Sequence, residues 1–483
     1  MHKLKDYQVL IALLITSFVS VYYMPAMLNR LIFIGILYSA YKTKLDYVYL
    51  VWFFIINDAP GRLFSAGEFG AVRIPLYPIA AGISISFQDL FLLTYIYKFI
   101  QLQKPLQFIY KKEFIWFFTF GCLVIAYSFL IGISFDNMIK TFRALMPWAL
   151  ILILPAFIQN RQILIRACHL IFPVVFLAFA SQVHAYITGN YIDYYLRGAE
   201  FKSSLEAGAE TVSRAYSAMY IILFSIIQAL YLFFHRQTEI NKNYLALVIF
   251  FGILSVFLTA TRGWIIAVAV MLAGVWFLYG LSREFSRFFR IAVPVSVLLL
   301  LVVAYVPEIR LQIGGVYERL TTLEALLEGD VTAAGTLKRL DVRAPRVISK
   351  FKESPLLGWG FSDAYHEYGD GHVGHHNILL NIGIFGYIVV NGIFILLCMK
   401  IWRLSRERRV RIHEGKAPLI YVIGLIVVFV IHSSSTQFWG YYLHGGHFAK
   451  VCFLSFFFMA VNNSQKKRGC NIIYHPQIKF RQV

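Results

Sequence analysis

The sequence predicts an all-α, polytopic membrane helical bundle of roughly 12–14 transmembrane helices with one long, partly helical outer loop. The first observation behind this is composition: of 483 residues, 59% are hydrophobic and 14% charged, with a mean hydropathy of +0.65. A soluble domain carries about 25% charged residues, so this chain lacks the polar surface to cover itself in water. The second is length, because apolar runs of ~18 residues or more, enough to cross hydrocarbon as a helix, recur from end to end. The third is period: the alternation of barrel strands is missing. Helices satisfy their own backbone groups where lipid offers none.

Between the charge breaks the apolar runs lie near 7–25, 27–41, 45–57, 79–99, 114–133, 141–158, 163–186, 214–234, 243–260, 263–280, 288–306, 377–398, 418–434 and 447–461. The run at 45–57 is short for a span, and the stretch around Pro75 and Pro78 reads as potentially re-entrant. The first run follows Met-His-Lys-Leu-Lys but is too long for a signal-peptide core and lacks a small-x-small site, so it reads as a retained helix. Lys and Arg collect at Lys3/Lys5, Lys42/Lys44, Lys98 to Lys112, Arg161/Arg166, Arg236/Lys242, Arg283 to Arg290, Lys400 to Lys416 and Lys466 to Arg481. By the positive-inside rule these face the cytoplasm together with both termini, and 58–78, 134–140, 187–213, 307–376 and 435–446 face outside. The net charge of +20 then reflects that bias and attraction to membrane lipids, and no nucleic acid is expected as a partner. Five scattered cysteines show neither metal-ligand spacing nor a disulfide pattern. The chain divides into N-terminal membrane helices (1–200), membrane helices carrying Arg214 and Arg262 (201–306), a large outer loop (307–376), C-terminal membrane helices (377–461) and a basic tail (462–483).

The outer loop holds the chemistry. Connections in bundles run to about 2–8 residues, and 307–376 is far longer. Val316, Leu320, Leu323 and Leu327 stand at helical spacing and predict an amphipathic surface helix over 316–328. Pro345 opens a second short helix, Arg346 to Lys352, which Ser354-Pro355 ends. Leu357-Gly358-Trp359-Gly360-Phe361 is a turn that needs glycine. A polar run follows at the mouth of the next span: Asp363, His366, Glu367, Asp370, His372, His375, His376 and Asn377. Ionisable groups at the top of a bundle mark a functional site. His366, His372, Glu367 and Asp370 carry metal-capable side chains, though their spacing matches no ligand pattern, and no metal or other cofactor is expected. His444 and His447 in the last outer loop read as solvated, and Trp439-Gly-Tyr-Tyr as an aromatic belt or a sugar-stacking platform.

Pro355-Leu-Leu-Gly-Trp-Gly-Phe, followed by His376-Asn377-Ile-Leu-Leu-Asn-Ile-Gly383-Ile-Phe-Gly386, resembles the signature of the O-antigen ligase and O-antigen/exopolysaccharide polymerase superfamily. Thr261-Arg262-Gly263 resembles the family's Thr-Arg-Gly element. Arg214 and Arg339 match further arginine positions, while Arg343 stands where a tryptophan is usual. The resemblance implies a membrane glycosyltransferase in the bacterial inner (cytoplasmic) membrane, its active site facing the periplasm. Its donor would be a glycan on undecaprenyl diphosphate, and its acceptor lipid A-core or a lipid-linked glycan, in lipopolysaccharide or exopolysaccharide biosynthesis. By the same resemblance, Arg262 and Arg214 neutralise the diphosphate leaving group, and His376 takes the acceptor proton in an inverting displacement. His375 competes for that role, and Arg339, His375, Asn377 and Trp359 join the substrate-binding set. The charge map puts Arg214, Arg262 and His376 at the outer ends of three different spans. An arginine at a span end is also a common interface anchor, so the bland reading stands beside the functional one. A lipid-linked oligosaccharide flippase or a metal-dependent oligosaccharyl transferase are the alternatives; the first usually shows internal repeats, and none is visible.

Overall fold

The computed structural model describes residues 2–64, 75–80, 83–102, 108–197, 206–208, 212–235, 239–280, 282–327, 342–370, 373–412, 416–432 and 447–465. In chain order the elements begin with α1 (His2–Tyr23), α2 (Ala26–Lys42), α3 (Asp46–Asp58), β1 (Pro75–Ala80), β2 (Ile83–Ser86), α4 (Phe87–Gln101) and α5 (Lys111–Ile131). A 3-10 turn, Met146–Ala149, joins α6 (Phe135–Leu145) to α7 (Leu150–Phe157). Next come α8 (Arg161–Ile171), α9 (Pro173–Thr188), α10 (Ile192–Arg197), β3 (Glu206–Gly208), β4 (Val212–Arg214), α11 (Met219–Phe234), α12 (Lys242–Leu258), α13 (Arg262–Tyr279) and α14 (Arg283–Tyr305). The remainder comprises α15 (Pro307–Leu327), α16 (Ala344–Phe351), α17 (Asp363–Tyr368), α18 (Gly374–Ile412), α19 (Leu419–Ile426) with a π-helical turn (Val427–His432), and α20 (His447–Gln465).

This is a helical polytopic bundle, and among the described residues the apolar runs read from the sequence fall mainly on helices. Six segments among the described residues are long and apolar enough to cross a membrane: Leu4–Tyr23, Lys111–Ile131, Phe135–Phe157, Arg161–Thr188, Arg262–Tyr279 and Gly374–Glu407. Met219–Phe234, Lys242–Leu258 and Leu419–Val430 are shorter apolar helices. The short ones sit inside. Every residue of α11 except Tyr220 is buried, as expected of a helix that is apolar all round. Leu130 and Phe277, by contrast, are almost fully exposed on α5 and α13, the surface that lipid would cover.

Local chemistry sets several boundaries. Ser86 and Asp89 form a capping box at the start of α4, and the Asn160 side chain caps α8 by accepting from Ile163 N. Three expectations change. The run at 79–99 begins not as a helix but as the antiparallel β1–β2 hairpin, with prolines at 75 and 78 that cannot donate helical bonds. The helix expected over 316–328 starts at Pro307, a residue suited to a first helical position. Its Ile309, Ile313 and Val316 stripe docks on the ends of α9 and α12, so it is anchored to the bundle. His447 is also not solvated: it opens α20 as a buried residue, Nε2 lying 2.6 Å from the Ala144 carbonyl.

Polar contacts tie the helix ends together. Lys98 bonds the Ala40 and Thr43 carbonyls at 2.9 and 3.1 Å, Lys400 pairs with Glu113 at 2.7 Å, and Lys416 bonds the Leu278 carbonyl at 2.9 Å. Gly61 N donates to Ser217 Oγ at 2.8 Å, Ile221 N to Asp58 Oδ2 at 2.7 Å, and Asp363 N to the Gly132 carbonyl at 3.2 Å.

Candidate active site

The loop turn 355–361 and the first part of α18 form one unit. At Gly383 the helix breaks, with φ 63° and ψ −172°, so the normal backbone bonds around it cannot form. The turn replaces them. Trp359 N donates to the Leu380 carbonyl at 2.8 Å, Ile384 N to Pro355 O at 2.9 Å and Phe385 N to Leu356 O at 3.1 Å. A buried backbone group left unpaired costs ~1–3 kcal/mol, so the inserted turn is what makes the break tolerable. Only glycines fit the crossing. A Cβ on Gly383 would overlap the Leu356 carbonyl, and one on Gly358 (φ 70°) would stand 2.5 Å from Gly383 N. The C-terminal end of α5 clasps the turn: Phe361 N donates to Ser128 Oγ at 2.6 Å, and Tyr127 Oη to the Gly358 carbonyl at 3.3 Å.

The break makes Gly374–Ile382 a half-helix with His375 and His376 in its first turn. Their surroundings differ. The Tyr387 hydroxyl lies 3.4 Å from His375 Nδ1, and His375 Nε2 lies 3.5 Å from the Val430 carbonyl in the π-helical turn, with Phe429 beside the ring. A carbonyl can only accept, so this geometry assigns the proton to Nε2 and leaves Nδ1 accepting from Tyr387. His376 is half-buried, and neither of its ring nitrogens is hydrogen-bonded among the described residues. Asn377 is buried, and its amide is engaged within the loop: Oδ1 accepts from Asp370 N at 2.8 Å and Nδ2 donates to the Asp370 carbonyl.

Two further positions meet on the neighbouring helices. Arg214 ends β4, paired in register with Glu206, and Arg262 opens α13. Between these segments the hydroxyls of Tyr216 and Thr261 are 2.9 Å apart. The Tyr186 hydroxyl bonds both Ala215 N and the Leu258 carbonyl, and Gln182 Nε2 reaches the Ala215 carbonyl at 3.2 Å. Ala218 (φ 48°) and Ala260 (φ 51°) are left-handed without being glycine, a strain of ~1–3 kcal/mol that tends to collect at functional sites. α13 in turn packs against the π-helical turn that touches His375. The Arg214 segment thus touches the start of α13, and α13 packs on the π-helical turn beside His375.

The rest of the loop braces this arrangement. Arg343 pairs with Asp370 at 3.5 Å, and Arg346 bonds the Glu367 carbonyl at 3.2 Å. The expected helix after Pro345 is α16, and the glycines at 358 and 360 both take positive φ. Trp359 is fixed by its indole N–H on the Lys350 carbonyl at 2.9 Å, with the Lys350 ammonium 4.2 Å from the ring centre. His366 Nε2 lies 3.2 Å from Thr141 Oγ1, and burial, reinforced by Lys140, lowers its pKa to about 4. Among the described residues no three His, Cys, Asp or Glu side chains gather to hold a metal. Arg339, His372, His444 and Trp439 lie outside the described residues, and for Arg214 only the backbone is described. The sequence did not point to Tyr216, Tyr186 or Ser128, since polar residues at apolar run ends carry no distinguishing spacing, whereas Asp363 stood in the polar run it singled out.

Residues 245–399 match the sequence model of a family described as O-antigen ligase. That segment contains Arg262, the turn at 355–361, both histidines and the break of α18 at Gly383. No curated protein matches the chain.

Proposed function

We propose that this chain, an O-antigen ligase-type membrane enzyme by the match over residues 245–399, transfers a glycan from undecaprenyl diphosphate to a sugar hydroxyl on the outer face of the bacterial inner membrane. The observation that carries the reading is the linked chain from Arg214's strand through Tyr216–Thr261 and α13 to the π-helical turn and His375. Lys and Arg bias supports placing that end in the periplasm and both termini in the cytoplasm. The acceptor is lipid A-core or another lipid-linked glycan.

In the proposed step the acceptor oxygen attacks the anomeric carbon as its bond to the diphosphate oxygen breaks. The electron pair leaves with the diphosphate, and the anomeric configuration inverts. Arg262 and Arg214 stabilise the charge that builds on the leaving group, since guanidinium binds phosphate oxygens in pairs and stays charged. That charge develops in the transition state, where its stabilisation raises rate. His376 takes the acceptor proton, a contribution of typically ~10²–10⁴-fold. His375 has both nitrogens occupied by Tyr387 and Val430, which favours His376 as the base. Purified chain, incubated with lipid-diphosphate-linked glycan and lipid A-core, should yield the inverted glycoside; no transfer to this acceptor or to a second lipid-linked glycan would reject the reading.

A further inference from the structure

We infer that the cleft between the α5–α6 connection and the Trp359–Ala364 turn is a sugar-binding subsite for the glycan acceptor, an assignment that rests on the glycan-transfer reading above. The cleft is open, encloses about 410 Å³, and is walled by Ile131, Gly132, Ile133 and Ser134 on one side and Trp359, Ser362, Asp363 and Ala364 on the other. That volume lies within the ~300–1,000 Å³ usual for small-molecule sites.

Its polar groups are set for a ligand that offers hydroxyls. Asp363 Oδ1 accepts three hydrogen bonds, from Ser134 N at 2.9 Å, Ser134 Oγ at 2.8 Å and Asn137 Nδ2 at 2.7 Å. Its Oδ2 accepts none among the described residues, so one carboxylate oxygen anchors the loop and the other remains available. Burial alone would raise this carboxyl, but the bonds from Ser134 and Asn137 and the proximity of His366 hold it below its usual range, ionised at neutral pH. Ser362 supplies the second, independent observation. It is 1% exposed, lines the cleft, and its hydroxyl has no hydrogen-bond partner among the described residues. A buried hydroxyl left unpaired is costly, and this one is enclosed as it stands, so a ligand that draws it to the cleft surface on binding would complete it. Trp359 and the two isoleucines add the apolar and aromatic surface that a sugar ring's C–H face requires, and the Lys350 contacts hold the indole in place before binding.

Position selects the acceptor. The arginine segments join the histidine half-helix from the side of α13 and the π-helical turn. The cleft joins it through the turn at 355–361, which is clasped by α5. Donor diphosphate and cleft ligand therefore approach the half-helix through different elements, which is what a two-substrate transfer requires.

The test uses the full chain in detergent and fluorescently labelled core oligosaccharide released from lipid A-core by mild acid. Ser362→Ala should keep the thermal stability, because its hydroxyl has no partner to lose, yet weaken binding about tenfold. Asp363→Asn keeps an oxygen for the Ser134 and Asn137 bonds and should weaken binding to a similar degree. In the transfer assay both should raise the acceptor KM and leave the donor KM unchanged. Absence of oligosaccharide binding by the unsubstituted chain, or equal binding by it and both variants, would overturn the subsite. Specific binding without any transfer would reject the transferase reading and leave the subsite standing.

Discussion

The hydroxyls of Tyr216 and Thr261 meet at 2.9 Å, and this contact joins the strand ending in Arg214 to the helix opening with Arg262. The two residues are far apart in sequence; Tyr216 lies two residues after Arg214 and Thr261 directly before Arg262, the two proposed diphosphate ligands. Tyr216→Phe should lower turnover about three- to tenfold, the worth of one hydrogen bond at ~0.5–1.5 kcal/mol, with the fold retained. Arg262→Ala should cost ~10²-fold or more, as loss of a charge-stabilising donor typically does. Arg262→Lys should recover little, because an ammonium cannot make paired contacts. Steady-state transfer assays check all three; near-normal activity of the lysine variant would reduce Arg262 to an interface anchor.

Gly383→Ala should damage both stability and activity. Positive φ costs a non-glycine residue ~1–2 kcal/mol, and the new methyl would also collide with the Leu356 carbonyl. The expected loss is at least ~2 kcal/mol, measured as a lowered melting temperature in detergent. An unchanged melting curve would show that the turn does not insert as described.

His376→Ala should reduce turnover strongly while donor binding survives. Tyr387→Phe and His375→Ala should cost less, since they remove support for the half-helix rather than the proton acceptor. Excess EDTA should leave activity intact. If instead a metal were bound, EDTA would inhibit until metal was restored, and loss of any ligand would be comparably damaging.

His366 gives a pH dependence with a definite sign. Its pKa of about 4 lies below the ordinary ~6.5, so in the native protein it stays neutral where the unfolded chain would bind a proton. The charged groups facing it are Lys140 and Asp136 on α6 and Asp363 on its own helix. Its contribution is complete above about pH 6.5 and is lost as pH falls towards 4. Hydrogen-exchange protection across 355–370, taken relative to intrinsic exchange at each pH, should therefore fall as pH drops over that interval, and His366→Gln should flatten the dependence.

The orientation is testable separately. In a cysteine-free background, Glu353→Cys should react with an impermeant maleimide added outside the cell, and Lys416→Cys only after the membrane is opened. The reverse pattern would invert the bundle and place the arginine and histidine end in the cytoplasm.

Much of the fold was legible because membrane helices announce themselves by composition. The runs at 114–133 and 263–280 correspond closely to α5 and α13, and Gly358 and Gly360 took the turn conformations their neighbours implied. What stayed hidden depends on partners distant in sequence. Gly383 could be named as part of a motif, but nothing in its apolar run marks a break, since the groups that repair it come from Pro355 to Trp359. The π-helical turn at Val427–His432 and the β1–β2 hairpin likewise lie in apolar stretches whose periodicity cannot separate them from helix. At the site, the motif residues could be named, but the Tyr216–Thr261 contact could not. Nor could the division of labour between His375 and His376, which turns on a carbonyl of another helix.

The broken α18 has a consequence for how the molecule is built. Its first segment cannot complete its backbone bonding until 355–361, synthesised earlier, folds back into the gap. Insertion of α18 and maturation of the histidine site are then a single event. A chain whose loop fails to seat would hold unpaired amides at membrane depth, which marks it for degradation, so defective copies should be absent from the membrane rather than present and idle.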